Sequence, residues 1–241
     1  MSQRGSELVG YLILVRHAHS TANASGILSG QRKGVFLSES GREQAESLAD
    51  RLGAVPIGQV LVSPMERCQE TIEPWLTQFG NKRMKVAVEP RLIEVDYGAW
   101  SGKKLRSLAT QKLWNTVQRT PSRVTFPGGE SLLAMQQRAM SAIHDAFARP
   151  TKGHVMVVSH GDVIKSIVAS SLGMHLDEFQ RIVIDPASVS IIDFYTSRPR
   201  ALVINNASGS VSALLADKAK NRILLGGGAG PMSARTRKKR S

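Results

Sequence analysis

The sequence predicts an α/β fold built on a mostly parallel central sheet. Short apolar runs alternate along the chain with longer segments that have helical periodicity. The apolar runs are continuous, which is typical of strands that are covered on both faces of a sheet. The chain has 241 residues, of which 41% are hydrophobic, so it can bury a large core.

The N-terminal part predicts a strand, a loop and a helix. Residues 11–15, YLILV, form an apolar run that predicts a buried central strand. Residues 24–38 are rich in glycine and serine and predict a loop. Ser40 and Glu43 have the spacing of a capping box, which predicts a helix that continues to about residue 52. Four residues of this helix share one face and are expected in the core: Ala45, Leu48, Ala49 and Leu52.

The middle of the chain predicts two more strands and a less regular stretch. Residues 60–62 predict the second strand, and Pro64 suits the first turn of the next helix because its missing N–H would be unpaired there. Residues 86–88 predict the third strand. Residues 90–127 predict an irregular stretch with one helix near residues 105–117.

The C-terminal part returns to a regular pattern. A helix is predicted over residues 131–147, with an apolar stripe that indicates core packing: Leu132, Met135, Ala139, Ile143 and Ala146. Residues 155–158 predict another central strand, which a helix over residues 161–172 follows directly. Residues 189–195 and 201–205 predict a hairpin at a sheet edge. We expect one domain over residues 1–225, with its core at about residues 10–205.

The last sixteen residues carry much of the positive charge. The net charge is +13, and five basic residues lie in the last seven positions, so removing them leaves +8. Residues 226–241 begin with GGGAG and contain no acid, which predicts a flexible basic tail. The excess charge suits either nucleic-acid binding or a field that attracts phosphorylated substrates. We expect the tail to be a solubilising end and no nucleic acid to be bound.

Cysteine usage and hydropathy indicate a cytoplasmic protein. Cys68 is the only cysteine, which excludes an internal disulfide and a zinc site with two or more cysteines. No run of about 18 apolar residues predicts a transmembrane helix. The N-terminus has no apolar stretch ahead of a small-residue cleavage site, so no signal peptide is expected.

Polar residues that suit phosphate chemistry follow three of the predicted strands. Arg16 and His17 come directly after the first strand, and His160 comes directly after the strand at 155–158. Ligands of parallel α/β sheets bind outside the carboxyl ends of the strands, so the two histidines are expected to face each other. Arg67 lies in the first turn of a helix, where a guanidinium and the helix N-terminus both favour an anion.

Such a pocket predicts covalent catalysis by histidine. A neutral imidazole can attack phosphorus without a metal if fixed cations offset the charge on the equatorial oxygens. The leaving alkoxide then needs a proton, which Glu94 can donate from the start of the irregular stretch. This role requires the pKa of Glu94 to be raised by burial or by the charge of the transferred phosphate.

Five motifs then appear in the order of a known family. RHAHSTAN, SPMERCQET, EVDYGAWSG, FPGGES and VVSHGDVIKS lie within residues 10–205. The sequence resembles the histidine phosphatase superfamily, in the branch that contains cofactor-dependent phosphoglycerate mutases and their phosphatase relatives. The resemblance implies a three-layer α/β/α sandwich of the phosphoglycerate-mutase type and a phosphatase that acts on small phosphorylated metabolites. It implies no metal and no organic cofactor.

The resemblance also implies roles for individual residues. His17 becomes phosphorylated, and Glu94 donates the proton. Four residues form the phosphate pocket: Arg16, Asn23, Arg67 and His160. Two positions near His17 depart from the family pattern. Ala18 replaces a glycine, and His19 replaces a glutamate or glutamine.

A third departure follows His160. Asp162 and Lys165 stand where the phosphatases often have glycine and arginine. These departures bear on specificity more than on the reaction itself.

Three other interpretations remain open from the sequence. His17, His19 and Asp162 could ligate a divalent metal, although this leaves Arg16, Arg67 and Glu94 without a purpose. A mutase is an alternative, but the stretch between the Glu94 motif and FPGGES is shorter than in the mutases. A non-catalytic binding protein is the third, and the presence of all expected catalytic side chains speaks against it. The sequence leaves the substrate and homo-oligomer formation undecided.

Overall fold

The central sheet has six strands in the part of the chain that the computed structural model describes, in the order β3-β2-β4-β1-β5-β6. The strands are β1 (Tyr11–Arg16), β2 (Ile57–Val62), β3 (Lys85–Val88), β4 (His154–Ser159), β5 (Val189–Asp193) and β6 (Arg200–Asn206). The first four run parallel, and β5 and β6 are antiparallel to their neighbours. The predicted mostly parallel sheet is confirmed.

Helices cover both faces of this sheet. The α-helices among the described residues are α1 (Thr21–Ala24), α2 (Glu39–Leu52), α3 (Glu66–Phe79), α4 (Leu105–Leu108), α5 (Lys112–Arg119), α6 (Leu132–Ala148), α7 (Gly161–Ser171) and α8 (Val211–Lys220). Leu12 and Leu14 of β1 pack into one buried cluster with α6 and α7. Ile13 and Val15 point to the opposite face and pack into a second cluster with α2 and α3. This alternation makes the three-layer α/β/α sandwich.

The structure describes residues 10–148, 152–194 and 198–220, with side chains in the last helix as far as residue 215. The predicted tail at 226–241 and the last residue of the strand predicted at 189–195 lie outside these ranges. The domain boundary at residue 225 stays a prediction.

Two predicted helix starts are wrong by two residues. Ser38, not Ser40, is the N-cap of α2, because its hydroxyl accepts a hydrogen bond from the Gly41 N–H. Ser38 also donates to the His19 carbonyl at 3.1 Å, and this tertiary contact selects it over Ser40. Pro64 lies outside α3, which begins at Glu66 with Met65 as the N-cap.

Three further elements differ from the prediction. The helix predicted near residues 105–117 is two helices, α4 and α5, separated by residues 109–111. Thr110 there donates its hydroxyl to the Ser107 carbonyl, a local bond that competes with the helical ladder. Within the predicted hairpin, only β6 lies at the sheet edge, because β5 also pairs with β1. The sequence did not predict α8.

Candidate active site

The two predicted histidines meet at the carboxyl ends of adjacent strands. β1 and β4 are parallel neighbours with Arg16 opposite Ser159, so His17 and His160 leave the sheet side by side. Their ring centroids are 5.3 Å apart, with the ring planes at 61°. The sequence prediction that these histidines face each other is confirmed.

His17 is held as a neutral ring with a free lone pair. Its Nδ1 lies 2.8 Å from the Ala18 carbonyl oxygen, which can only accept, so Nδ1 carries the proton. The unprotonated nitrogen is therefore Nε2. Burial, followed by the positive charges of Arg67 and Arg16, holds the pKa of His17 well below its usual value. A neutral ring of this kind can act as a nucleophile at neutral pH without help from a base.

Ala18 and Thr71 fix the backbone beside His17. The Ala18 N–H donates to Thr71 Oγ1 at 2.9 Å, and the Thr71 hydroxyl donates to the Arg67 carbonyl at 2.6 Å. All three atoms are buried, so these bonds tie the end of β1 to the first turns of α3. Thr71 is the last residue of SPMERCQET, and the sequence alone indicates no role for it.

His160 is the second neutral histidine. Arg67 Nη2 donates to His160 Nδ1 at 3.2 Å, and a guanidinium can only donate, so the ring proton is on Nε2. That proton is donated to Ser63 Oγ at 2.8 Å. Burial first, and then the charge of Arg67, lowers the pKa of His160 well below its usual value. Ser63, the first residue of the same motif, thus selects the His160 tautomer that orients Arg67.

The two arginines present donors to an anion. Arg67 is 1% exposed, and its Nη2 bonds the Gly30 carbonyl at 2.9 Å as well as His160. Arg16 is anchored through Nη1 to the Ile184 carbonyl at 2.6 Å. Within the described part of the chain, Arg67 Nε and Nη1 and Arg16 Nε are buried without a hydrogen-bond partner. Unpaired buried donors are costly, and a tetrahedral oxyanion would satisfy them.

Glu94 has the properties of a general acid. Its Oε1 accepts the Val95 N–H at 2.9 Å, and its Oε2 lies 3.9 Å from His160 Nδ1. Burial first, and then the negative charge of Asp162, raises the pKa of Glu94 to about 7. The carboxyl is therefore substantially protonated near neutral pH, which a proton donor requires.

Asn23 contributes to the site from α1. Its Oδ1 accepts from the backbone N–H of Ser20 at 3.0 Å and from the Ser20 hydroxyl at 2.9 Å, which closes a capping box. The remaining polar end of this side chain is its NH₂ group, a donor. Asn23 lines the same cavity as Arg16 and His17, and its role as a phosphate contact stays a prediction.

Arg16, His17, Asn23 and Glu94 line one end of a cavity of about 280 Å³, and Arg67 contacts its lining at the Gly30 carbonyl. Its other walls come mainly from the loop between α1 and α2, from the irregular stretch after β3 and from α7. One wall is apolar, with Ile27, Leu28, Trp100, Trp114 and Phe126. A second part of the lining is polar, with Tyr97, Asp162, Lys165 and Gln180. A phosphate ester would place its phosphate at the arginines and its alcohol between these walls.

The residues of the alternative metal site are not brought together. His19 Nδ1 bonds Ser38 Oγ at 2.9 Å, beside the N-terminus of α2. Among the described residues, no group of three or more His, Cys, Asp and Glu side chains is arranged to hold a metal ion. His17, His19 and Asp162 therefore do not form the cluster that a metal-dependent enzyme would need.

No helix in the described ranges has the length and apolar character needed to cross a membrane.

Known proteins resemble this chain over most of its length. The family model of the histidine phosphatase superfamily (branch 1) matches residues 12–207. Phosphoserine phosphatase 1 of Hydrogenobacter thermophilus is 33% identical over 197 residues, which cover 80% of this chain and 91% of the relative. A probable phosphoglycerate mutase of Erwinia tasmaniensis is 30% identical over 187 residues, 76% of this chain and 85% of the relative.

A solved structure gives the same picture. The α-ribazole phosphatase of Shigella flexneri is 26% identical and superimposes with a TM-score of 0.73. The match covers 83% of this chain and 98% of that protein.

Proposed function

The chain belongs to the histidine phosphatase superfamily, and on that premise we propose that it hydrolyses phosphate monoesters of small metabolites through a phosphohistidine on His17. The observation that carries the proposal is the set of unpaired, buried guanidinium donors of Arg16 and Arg67 around a neutral histidine. The proposed reaction uses no metal ion and no organic cofactor.

In the first step, the Nε2 lone pair of His17 attacks phosphorus and the bond from phosphorus to the alcohol oxygen breaks. Glu94 donates its proton to that oxygen, so a neutral alcohol leaves. Arg16, Arg67 and Asn23 bind the phosphoryl oxygens, where negative charge is concentrated in the transition state. The ring becomes positively charged on phosphorylation, and the Nδ1–H bond to the Ala18 carbonyl stabilises this charge.

In the second step, a water molecule attacks the phosphorus of phosphohistidine. The Glu94 carboxylate takes a proton from this water, the bond from phosphorus to Nε2 breaks, and inorganic phosphate leaves. His17 is again neutral and Glu94 is again protonated, so the cycle closes. His160 belongs to the phosphate pocket in this proposal because its bond to Arg67 holds the guanidinium in place.

Trapping the intermediate tests the proposal. After rapid mixing with an excess of ³²P-labelled substrate and a denaturing quench, the label should be stable in base, labile in acid and located on His17. Activity should persist in excess chelator. The absence of acid-labile phosphate at this position during turnover would contradict the mechanism.

The mutase is the second candidate, since one relative carries that name. A mutase has to hold a second phosphate on its substrate. Lys165 is the only lysine among the described residues that line the cavity, and Asp162, 3.7 Å from it, would bring a negative charge next to a second phosphate bound there. This favours hydrolysis. With 3-phosphoglycerate, release of inorganic phosphate without bisphosphoglycerate supports the phosphatase, whereas isomerisation that depends on bisphosphoglycerate supports the mutase.

A further inference from the structure

An ion pair in the polar wall is not used by the proposed chemistry. Asp162 and Lys165 are three residues apart on α7, with Lys165 Nζ 3.7 Å from Asp162 Oδ1. Both side chains are about one-fifth exposed and line the cavity. Tyr97 donates its hydroxyl to Asp162 Oδ2 at 2.8 Å, and Lys165 donates to Gln180 Oε1 at 3.1 Å. The pair is therefore held in place by neighbours and still open to the cavity.

The pair lies on the side of the leaving alcohol. Asp162 is close enough to Glu94 for its charge to be the second cause, after burial, of the raised pKa of Glu94. In the proposed function, Glu94 delivers its proton to the leaving oxygen, so Asp162 stands near the alcohol half of the substrate. At the start of the same helix, a Cβ on Gly161 would lie 3.4 Å from Arg16 Nε, which places α7 beside the phosphate.

The chemistry of the pair selects a head group that carries both charges. A lysine ammonium has three N–H donors, and the two contacts to Gln180 and Asp162 leave one for a ligand. Each carboxylate oxygen of Asp162 can accept a further hydrogen bond. The pair is neutral as a whole. A ligand with only one charged group would therefore give an oppositely charged contact to one of the two side chains and none to the other.

We propose that Asp162 and Lys165 determine specificity by binding a zwitterionic alcohol, such as an amino acid whose side-chain hydroxyl is phosphorylated. Asp162 binds the ammonium group, Lys165 binds the carboxylate, and the carbon skeleton contacts the apolar wall at Leu28 and Trp114. The inference rests on the proposed phosphatase function and names the substrate class for it.

Three esters separate the two contacts. O-phospho-L-serine carries both charged groups, 3-phosphoglycerate replaces the ammonium by a hydroxyl, and phosphoethanolamine lacks the carboxylate. A charge-assisted hydrogen bond contributes about 10-fold or more to kcat/KM. The wild-type protein should therefore hydrolyse O-phospho-L-serine at least about 10-fold more efficiently than either of the others.

The variants assign each contact to one side chain. Lys165→Gln should abolish the advantage over phosphoethanolamine and keep the advantage over 3-phosphoglycerate. Asp162→Asn should do the reverse, and Lys165→Arg should retain the wild-type ranking. Lys85→Gln and Asp50→Asn, at exposed positions on β3 and α2, are the matched controls that should retain it too. Each ranking is a ratio within one preparation, so a lowered folded fraction cancels.

Equal efficiencies for the three esters in the wild type would overturn the inference. So would a Lys165→Gln variant that lowers all three efficiencies by the same factor. Hydrolysis of p-nitrophenyl phosphate distinguishes the two levels of the argument. If the wild type hydrolyses this ester with a flat ranking of the other three, only the substrate class is wrong; if it hydrolyses none of the four, the proposed function itself is wrong.

Discussion

The two ends of the cavity are built in different ways. At the phosphate end, His17, Arg67 and His160 are buried, and hydrogen bonds to Ala18, Gly30 and Ser63 fix their orientations. At the alcohol end, Trp114, Asp162 and Lys165 are only partly buried and come from an irregular stretch and a helix surface. The proposed function assigns the two ends different tasks: the buried end would set the reaction, and the partly exposed end would set which alcohol is accepted.

Removing the nucleophile should give the largest effect. We expect His17→Ala to lower kcat for p-nitrophenyl phosphate by about 10⁴-fold or more, because the remaining groups can bind phosphate but cannot form the covalent intermediate. Circular dichroism should show an unchanged fold. Near-wild-type turnover by a folded variant would show that the buried end does not set the reaction.

Removing Arg67 should have the next largest effect. Arg67→Gln loses the Nε and Nη1 donors, so kcat/KM should fall by about 10²- to 10³-fold. The pKa of His17 should rise, because the Arg67 charge is one cause of its lowering. Arg181→Gln is the matched control, since the Arg181 side chain is 77% exposed. Similar kinetic losses in both variants would argue against a specific role for Arg67.

The pH dependence of kcat/KM should show that Asp162, at the alcohol end of the cavity, influences Glu94. The raised pKa of Glu94 predicts that kcat/KM falls as the pH increases through about 7, where the acid loses its proton. Asp162→Asn removes one cause of this rise, so the alkaline limb should move to lower pH. The lowered pKa of His17 keeps the acid limb below the usual histidine range. If the alkaline limb does not move in Asp162→Asn, the charge of Asp162 does not influence the pKa of Glu94.

The smallest effect is expected at Thr71. Thr71→Val keeps the shape but leaves the buried Ala18 N–H without its acceptor. The free energy of unfolding should fall by about 1–3 kcal/mol, with only a modest loss of kcat. Thr71→Ser, which keeps the hydroxyl, is the control and should lose less. Chemical denaturation measures both variants, and equal losses would show that the methyl group matters more than the hydrogen bond.

The sequence predicted the buried end better than the surroundings of its residues. His17 and His160 were predictable because each directly follows a continuous apolar strand, and parallel strands end at the same edge. The roles of Ser63 and Thr71 were missed because their partners are 97 and 53 residues away in sequence. Motif spacing identifies such residues, but only the fold shows which atom each one contacts.

The errors in the helices have a similar physical origin. Ser38 and Ser40 are both suitable N-caps by residue type, and a contact with the distant His19 backbone decides between them. The break between α4 and α5 depends on a side-chain bond from Thr110 that helical periodicity does not register. The walls of the cavity come from such irregular segments, so the substrate could not be predicted from the sequence.

The anchoring of Arg16 to the Ile184 carbonyl has a consequence for biosynthesis. The two residues are 168 positions apart, and β1 must also find β4 across about 140 residues. A nascent chain therefore cannot form its phosphate pocket until residues up to Ile184 have left the ribosome. The time at which turnover begins during translation would therefore report when the fold is complete. No truncated product that ends before Ile184 should be active.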